Sequence, residues 1–581
     1  MLRQGAIYVV AGACCFLQPS AQAQTKVDFG KDVLPILRQN CFGCHGPAQQ
    51  MSGLRLDRKS SVFKGGMRRV VPGSSENSFL IHRVSGNAYG LQMPPTGPLR
   101  VEQIAVLKAW IDQGAAWPDA LSNEANLPPL NPKAVAMVEA LRSGDRLSFL
   151  KLAAEDAGLL NARGPEGSTP FMYAVLYGDA ALLEQLLKRG ADSNARNDAN
   201  ATALMWAATN LDKTRILVAH GADVNARSDE PRTPLMIAAG HPGGIATVKF
   251  LLEHGANPNP TSNPMAESSP LIEAALAADP ESMQLLVDRG ADVKQSGAMA
   301  LTMAVTRHCQ KCVDLLVSKN LDKDAYTFTL LNVAYYAGVK DVAFLLDHGA
   351  DVNEVDPLGH TALHYAAVSD LLLTDVVKLL IDRGAKVNVT SPQKQSRHAG
   401  MSALDIARMS GETPVVKLLL KAGGTATVRD VTEAKPQPAA TLESAIQRSV
   451  PLLQWADAGF TAKSGCISCH NNSLAAMTVG LARKSGYGVD ERIAAQQVKV
   501  NAVYLEHQRD ALHQSFFPGQ AGSEAFGDVF GPGVLGYLMV GLDAEHYQPD
   551  LDTDAAAMYL KSRQQLNGEW AYPEADTRQP V

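Results

Sequence analysis

The chain has 581 residues, more than the roughly 250–300 that one hydrophobic core can organise, so we expect several domains. Apolar residues make up 46% of the chain and charged residues 19%, and both shares are ordinary for globular proteins. The formal net charge of -6 gives no electrostatic reason to bind nucleic acid, so we exclude nucleic acid as a partner.

Residues 1–23 have the pattern of an export signal. Arg3 gives a positive start, residues 6–17 form an apolar run, and Ala21-Gln22-Ala23 is a small-x-small cleavage site. The run is shorter than the about 20 residues that span a bilayer, which favours cleavage over an N-terminal anchor. We therefore predict a periplasmic or otherwise extracytoplasmic protein that keeps no transmembrane segment after cleavage.

The cysteines are arranged in pairs. Cys14 and Cys15 lie in the export segment, without the Leu-rich box that lipid attachment requires. The other six form three CxxC pairs, at Cys41/Cys44, Cys309/Cys312 and Cys466/Cys469. A histidine directly follows the first and third pairs, which makes these two the candidates for covalent haem.

The first candidate haem site is Cys41-Phe42-Gly43-Cys44-His45. At this spacing two thiols can bond the vinyl groups of one haem while the next imidazole reaches the iron. A zinc site usually takes four ligands from two such pairs, and a redox dithiol does not need the histidine. The pattern therefore predicts haem c on Cys41 and Cys44, with His45 as an iron ligand.

A second axial ligand is expected some tens of residues downstream. Met93 suits this role, because Pro94 and Pro95 restrict the backbone that carries it. Met51, Met67 and His82 compete with it, although His82 is also explained as a residue on a helix surface.

Helices over residues 32–39 and 101–112 should frame this site, with Gly114 ending the second. Residues 27–118 resemble the planctomycete-type cytochrome c domain in six motifs: CFGCHGP, SGLRLD at 52–57, KGG at 64–66, VPG at 71–73, QMPP at 92–95 and WIDQGA at 110–115. The resemblance implies a cytochrome c domain over about 24–120 that transfers electrons through haem c, with His45 and Met93 as axial ligands.

From about 130 to 425 the sequence repeats with a period near 33. The recurring phrase is Leu-Leu-x-x-Gly-Ala-Asp-x-Asn, with glycines at 190, 221, 255, 290, 349 and 384. Openers such as Thr169-Pro170 precede the copies, and the array resembles ankyrin repeats. About nine units should stack into a solenoid whose concave side binds an unidentified protein client.

Cys309 and Cys312 lie inside this array, where Val313 stands in place of the histidine. A haem is not expected here. Two small, half-buried thiols are the first interpretation, and a local disulfide in an oxidising compartment is the alternative.

After a polar linker at 426–440, Cys466-Ile467-Ser468-Cys469-His470 repeats the haem-attachment spacing ahead of a helix over 473–484. We predict a second haem c on Cys466 and Cys469, with His470 as an iron ligand. Its distal ligand stays open among Met477, His507, His513, Met539 and His546, and a five-coordinate iron is a further alternative.

Residues 441–581 should form a helical domain. Gln564-x-x-x-Gly568-x-Trp570, Gly531-Pro532-Gly533 and a hairpin over 534–542 resemble the α/α toroids of squalene-hopene-cyclase-like proteins, although the segment is about half a toroid. The acidic run at 550–554 lacks the adjacent pair of a cyclase DxDD cluster, so we interpret it as a solvated loop with a helix N-cap.

The sequence thus predicts a mainly all-α, multidomain chain: a cytochrome c domain, an ankyrin solenoid and an α/α-toroid-like helical domain. The leading hypothesis is a dihaem electron carrier with protein redox partners. A haem-based redox or ligand sensor is the alternative, and a haem oxidoreductase or cyclase-like enzyme ranks below both, since no acid, base or nucleophile constellation is recognisable. The stacked solenoid should hold the terminal domains tens of ångströms apart, an expectation from the repeat architecture.

Overall fold

The computed structural model describes residues 26–46, 54–63, 69–75, 78–86, 93–94, 97–123, 129–229, 231–260, 268–356, 359–369, 371–391, 400–427, 441–464, 473–515 and 527–564. Within these ranges the chain is helical, with isolated bridges at Arg196–Thr202 and Thr390–Ser402, which confirms the mainly all-α prediction. The predicted export signal lies outside them. No helix in the described ranges combines the length and apolar character that a bilayer crossing requires.

The described part of the N-terminal domain contains a π-helical turn, four α-helices and a 3₁₀ turn. In order they are the π turn Phe29–Val33, α1 Leu34–Asn40, α2 Lys59–Phe63, α3 Phe79–Ser85, α4 Val101–Asp112 and the 3₁₀ turn Asp119–Leu121. Helix α4 has the predicted bounds, and Gly114 stands just beyond it at φ +97°. The helix expected over 32–39 instead begins as the π turn, which the Asp28 side chain caps through the N–H of Lys31.

An aromatic cluster holds this domain together. The ring of Phe29 stacks on Trp117 at 4.2 Å between centroids and lies 5.5 Å from Trp110. The indole N–H of Trp110 donates to the carbonyl of Ala116 at 2.9 Å, so its polar atom is satisfied inside the core. Cys41 belongs to the same buried cluster, which places the first CxxC pair against the domain core.

The repeat region consists of nine helix pairs in its described part. The first five pairs are α5 Pro132–Arg142 with α6 Arg146–Glu155, α7 Pro170–Tyr177 with α8 Ala180–Lys188, α9 Ala203–Ala207 with α10 Leu211–Ala219, α11 Pro234–Ala239 with α12 Ile245–Glu253, and α13 Pro270–Leu276 with α14 Pro280–Asp288. The last four are α15 Val293–Thr306 with α16 Gln310–Val317, α17 Lys323–Val333 with α18 Val339–Asp347, α19 Ala362–Val368 with α20 Thr374–Asp382, and α21 Ala403–Arg408 with α22 Pro414–Lys421.

The recurring phrase explains both the turns and the stacking. Gly190 adopts φ +94° after α8, a conformation that glycine reaches at little cost. The asparagine of the phrase reaches forward to the next unit, since Asn194 Nδ2 donates to the carbonyl of Gly221 at 2.8 Å. Asn225 and Asn259 repeat this bond to Gly255 and Gly290. The phrase thus links neighbouring units through a ladder of side-chain hydrogen bonds, which the sequence expectation of a simple turn did not include.

The helices form two layers. First helices contact first helices from α5 through α21, and second helices contact each other in a parallel row. The layers enclose one continuous apolar core that extends from Met137 to Leu419. A buried ion pair between Arg232 and Glu273 is set into this core. Each unit buries its apolar face on its neighbours, as expected for a repeat architecture.

The C-terminal domain contributes five described helices: α23 Leu442–Ser464, α24 Leu474–Lys484, α25 Glu491–His513, α26 Gly527–Ala544 and α27 Leu551–Arg563. Helix α24 confirms the predicted helix over 473–484. The predicted hairpin over 534–542 is wrong, because α26 is a single helix that includes Pro532. Helix α25 packs on α27, and α24 packs on α26.

The C-terminal domain packs back onto the solenoid. Its helices α25 and α27 contact the first helices of the first six pairs and the turns that adjoin them. We call this surface the docking face. It consists of α5, α7, α9, α11, α13 and α15 with their adjoining turns. Leu551 of α27 packs against the solenoid core itself. The expectation that the solenoid holds the terminal domains apart is therefore wrong, because the last domain folds onto the first units.

Candidate functional site

The first CxxCH segment forms a turn directly after α1. The N–H of Cys41 donates to the carbonyl of Leu37 at 2.8 Å, which ends the helix on this residue. The carbonyl of Cys41 then accepts from the N–H groups of Cys44 and His45, at 3.1 and 2.8 Å. The carbonyl of His45 accepts from Leu56 at 2.8 Å. This turn fixes both thiols and the imidazole on one short stretch of backbone.

The two thiols have different surroundings. Cys41 is buried, Cys44 is half-buried, and both are free. Burial, together with the nearby Cys44, raises the pKa of Cys41 to about 12. A redox dithiol needs a lowered thiol pKa, so the environment disfavours that alternative. Thioether attachment of haem leaves no titrating thiol and has no such requirement.

Metal chelation by several side chains finds no support in the described ranges. No group of three or more histidine, cysteine, aspartate or glutamate side chains comes together there as a metal site. The turn of Cys41, Cys44 and His45 beside an apolar core fits haem c, which needs two thiols, one imidazole and a dry, apolar cleft.

Met93 and His82 lie in the same part of the domain. The N–H of Met93 donates to the carbonyl of Arg83 at 2.7 Å, which ties the Met93–Pro94 segment to α3, where His82 stands. Both side chains are half-buried. Met51 and Met67 lie outside the described residues. The axial role of Met93 stays a prediction, with His82 as its neighbour and competitor.

A buried ion pair anchors the Leu54–Asp57 segment. Arg55 donates to the two oxygens of Asp57 at 2.7 and 2.6 Å, and Asn123 Nδ2 donates to the same carboxylate at 2.8 Å. Burial by itself raises the pKa of Asp57, but the bonds from Arg55 and Asn123 hold it below its usual value. The sequence showed these residues only as part of a family motif and gave no sign of this structural role.

The second CxxCH, with Cys466, Cys469 and His470, lies outside the described residues. Of its candidate distal ligands, Met477 lines a cavity beside α26, and His513 is buried against the solenoid. Met539 is half-buried, and His546 lies in the turn after α26 at φ +59°. The side chain of His507 is not described, so the choice of ligand stays open.

Arg509 lies at the centre of the contact between the C-terminal domain and the docking face. Its Nε donates to Asp552 of α27, and its Nη1 lies 3.5 Å from Glu166 in the turn before α7. The side chains of Arg509 and Asp552 are each only 11% exposed. A buried guanidinium thus links two helices of one domain to the solenoid, where screening by water is weak.

The acidic run at 550–554 belongs to this interface. Asp550 caps α27, as predicted, by accepting from the N–H groups of Asp552 and Thr553. Asp554 accepts from Arg142 Nε at 3.1 Å and from the Tyr177 hydroxyl at 2.8 Å. The prediction of a solvated loop is therefore wrong, because the residues after Asp550 form the first turn of α27 and Asp554 binds the solenoid.

His513 is enclosed by aromatic rings. Its imidazole lies 4.6 Å from the Trp206 ring and 6.2 Å from the Tyr173 ring, measured between centroids. Neither ring nitrogen has a hydrogen-bond partner among the described residues. Burial, with Arg509 nearby, lowers the pKa of His513 to about 3, so the ring is neutral when the domain is docked.

The N-terminal domain reaches the same stretch of the solenoid. Arg58 lies 3.5 Å from Asp229, which also accepts from Asn200 Nδ2 at 2.7 Å. In the neighbouring turn, Asn197 donates to Asp510 of the C-terminal domain. Both terminal domains therefore contact adjacent turns of the solenoid.

The middle CxxC pair is a disulfide. Cys309 and Cys312 are bonded at the start of α16, where Cys309 is the N-cap residue and Cys312 is buried. The local disulfide, and not a pair of separate thiols, is therefore the correct interpretation.

Two known families match this chain, one in the repeat region and one in the N-terminal domain. A profile of ankyrin repeats matches overlapping segments that together run from residue 136 to residue 430, just over half of the 581 residues. The chain belongs to the ankyrin-repeat proteins. A second profile, Planctomycete cytochrome C, matches residues 41–97, and it begins at the first cysteine of the Cys41–His45 turn.

Two curated proteins and one solved structure are similar to part of this chain. The mouse B-cell lymphoma 3 protein homolog is 29% identical over 174 residues, which are 28% of this chain and 37% of that protein. Ankyrin repeat and KH domain-containing protein mask-1 of Caenorhabditis elegans is 28% identical over 179 residues, 30% of this chain and 6% of that protein. The crystal structure of the human ASB11 ankyrin repeat domain is 24% identical and covers 45% of this chain and 100% of its own, with a TM-score of 0.28. The chain spans less than half the length of these curated relatives.

Replacing Asp552 by alanine should loosen the docked domain. The change leaves the buried Arg509 without its closest carboxylate, which costs on the order of 3 kcal/mol. Trypsin should then cleave after Lys561 roughly a hundredfold faster, since cleavage tracks the opened population. Asp543→Ala, at an exposed position of α26, is the control and should cleave at the wild-type rate. Equal rates for both variants would show that Arg509 does not hold the interface.

Docking should weaken as pH rises from about 4.5 to 8. Burial raises the pKa of Glu166 from 4.5 to about 8, with Arg509 opposing and Asp510, Asp552 and Glu506 adding to the shift. In that window the undocked form releases a proton that the docked form retains, so rising pH favours undocking. Glu166→Gln should therefore reduce the slope of the free energy of unfolding against pH, measured by urea unfolding at several pH values.

The wild type and Glu166→Gln share other groups that titrate in the same pH range. Asp510, whose pKa burial raises to about 6, acts in the same direction, and His513 acts in the opposite direction below pH 6.5. The difference between wild type and Glu166→Gln isolates Glu166. Glu155→Gln, at an exposed site on α6, should keep the wild-type slope. An unchanged slope in Glu166→Gln would refute the assignment.

Proposed function

We propose that this ankyrin-repeat protein is an extracytoplasmic c-type cytochrome that transfers electrons to protein partners. Haem c would be held by Cys41 and Cys44, with His45 and Met93 as axial ligands. The observation that carries the proposal is the match of the cytochrome family to residues 41–97, which coincides with the Cys41–His45 turn on the domain core.

The residues of the N-terminal domain have separate tasks in this proposal. Haem c supplies a one-electron couple when it is bound. The thiols of Cys41 and Cys44 fix its position, and His45 and Met93 supply nitrogen and thioether ligands, a combination that raises the potential. The apolar cluster around Phe29 and Trp110 keeps water from that side of the site.

Export and a second haem belong to the proposal as well. The signal pattern of residues 1–23 and the Cys309–Cys312 disulfide both support an oxidising compartment outside the cytoplasm. The second CxxCH supports another haem c on Cys466 and Cys469, with His470 as ligand. We therefore propose a dihaem protein.

The ankyrin array supports protein–protein interaction, and part of that role is internal to the chain. The contacts of the C-terminal domain described above fall on the first six helix pairs. The last three pairs, from Lys323 to Lys421, are therefore where we place a separate protein client.

A sensor is the second candidate function. It is favoured by the docking interface, in which Glu166, Asp510 and His513 are shifted from their ordinary pKa values by burial. In this alternative the haems report redox state or bind a ligand, and the docked domain responds.

Haem content tests the dihaem proposal. The full chain, expressed with c-type maturation, should bind two covalent haems by pyridine haemochrome assay and haem staining. Cys41→Ala/Cys44→Ala and Cys466→Ala/Cys469→Ala should each lose one haem, because each removes one pair of attachment thiols. Cys309→Ser/Cys312→Ser is the matched control and should keep both. Retention of two haems in either alanine variant would contradict the corresponding site.

The axial ligand of the first haem is tested by potential. Met93→Ala should lower the midpoint potential of the first haem and abolish the absorption band of thioether-ligated ferric haem, since the sulfur is lost. His82→Ala should leave both unchanged. A wild type that lacks this band, with a midpoint potential that shifts in His82→Ala and not in Met93→Ala, would assign the distal position to His82.

A further inference from the structure

A cavity lies between the docking face and the C-terminal domain. Its volume is about 370 Å³, within the range of about 300–1,000 Å³ for small-molecule sites. The solenoid contributes the ends of α11, α13 and α15, and the C-terminal domain contributes α24, α26 and α27. Docking thus creates a cavity that neither part encloses alone.

Most of its lining is apolar. Leu276 of the solenoid faces Met477, Tyr537, Val540 and Leu560 of the C-terminal domain across the cavity. Such a surface favours a ligand with an extended hydrocarbon or flat apolar body.

Two arginines break the apolar lining, one from each side of the interface. Arg307 stands at the end of α15, and Arg563 at the end of α27. Arg563 is buried and held in place, because Nη1 donates to the carbonyl of Gly240 at 3.0 Å and the guanidinium lies 5.4 Å from the centre of the Tyr559 ring.

The two positive charges repel each other. Burial first, and then the charge of Arg563, lower the pKa of Arg307 to about 10. Glu273, whose carboxylate also feels Arg563, is already bound to Arg232. An acidic group placed between the two arginines would relieve the repulsion and accept several charge-assisted hydrogen bonds.

We propose that this cavity binds an amphipathic carboxylic acid, with its apolar body against Met477 and Tyr537 and its carboxylate between Arg307 and Arg563. Two sources share this chemistry. One is a free long-chain acid. The other is the haem of the C-terminal domain, whose propionates are carboxylates, and this source rests on the proposed function of Cys466 and Cys469.

Equilibrium dialysis of the full matured chain against radiolabelled palmitic acid tests the proposal, with hexadecanol as the uncharged match. One acid molecule should bind per chain, and the acid should bind more tightly than the alcohol. Saturable binding to the matured wild type identifies the free acid as the source. Binding that appears only in Cys466→Ala/Cys469→Ala identifies the haem, which then fills the cavity in the wild type.

Arginine variants decide whether the charge is recognised. Arg307→Gln should weaken acid binding at least tenfold and leave alcohol binding unchanged, while Arg307→Lys should recover part of the loss. Arg289→Gln, at an exposed position of the neighbouring unit, should bind as the wild type does. The same thermal unfolding midpoint in all variants shows that folding is intact.

Two results would overturn the proposal. One is the absence of saturable acid binding in both the matured chain and the Cys466→Ala/Cys469→Ala chain. The other is equal binding of acid and alcohol, with no response to Arg307→Gln. The number of haems per chain is measured on the same samples. Fewer than two haems in the wild type would contradict the dihaem proposal, and that outcome is independent of whether the acid binds.

Discussion

The buried guanidinium of Arg509 sets the arrangement of this protein. It lies between Asp552 of its own domain and Glu166 of the solenoid, where removal of water makes an unmet charge costly. Asp554 adds a second anchor through Arg142 and Tyr177. The C-terminal domain is thereby fixed on the first-helix layer of the solenoid. The cavity between the two parts is a consequence of this docking.

Docking also shortens the distance between the two terminal domains, which matters for the proposed electron transfer. Nine stacked units would separate the two terminal domains if the chain ran straight through the solenoid. Instead, Arg58 of the first domain and Asp510 of the last contact neighbouring turns, at Asp229 and Asn197. The solenoid therefore acts as a platform for both terminal domains, which suits either a two-haem carrier or a redox-responsive assembly.

Sequence reasoning succeeded where the signal is local. The glycine-containing phrase predicted the repeat array, because a positive φ after a second helix, as at Gly190 and Gly384, favours glycine, and α4 was found because Val101–Asp112 has helical spacing before Gly114. It failed for the docking, because Glu166, Arg509 and Asp552 are far apart in the chain and share no pattern. It also failed at α26, where Gly531-Pro532-Gly533 favours a turn, while packing against α24 keeps one helix. The CxxC spacing predicts haem attachment, but nothing in the sequence indicates that Cys41 is buried against the domain core.

The most direct test of the account is hydrogen exchange of the docking face, measured by mass spectrometry on the full chain and on a chain that ends at Thr427. Helices α7 and α9 and the turn around Asn197 should exchange faster in the short chain, because they lose the cover of α25 and α27. Helices α19 and α21, at the far end of the solenoid, should exchange alike in both and serve as the internal reference. Equal exchange of α7 and α9 in the two chains would show that the C-terminal domain does not occupy the solenoid in solution.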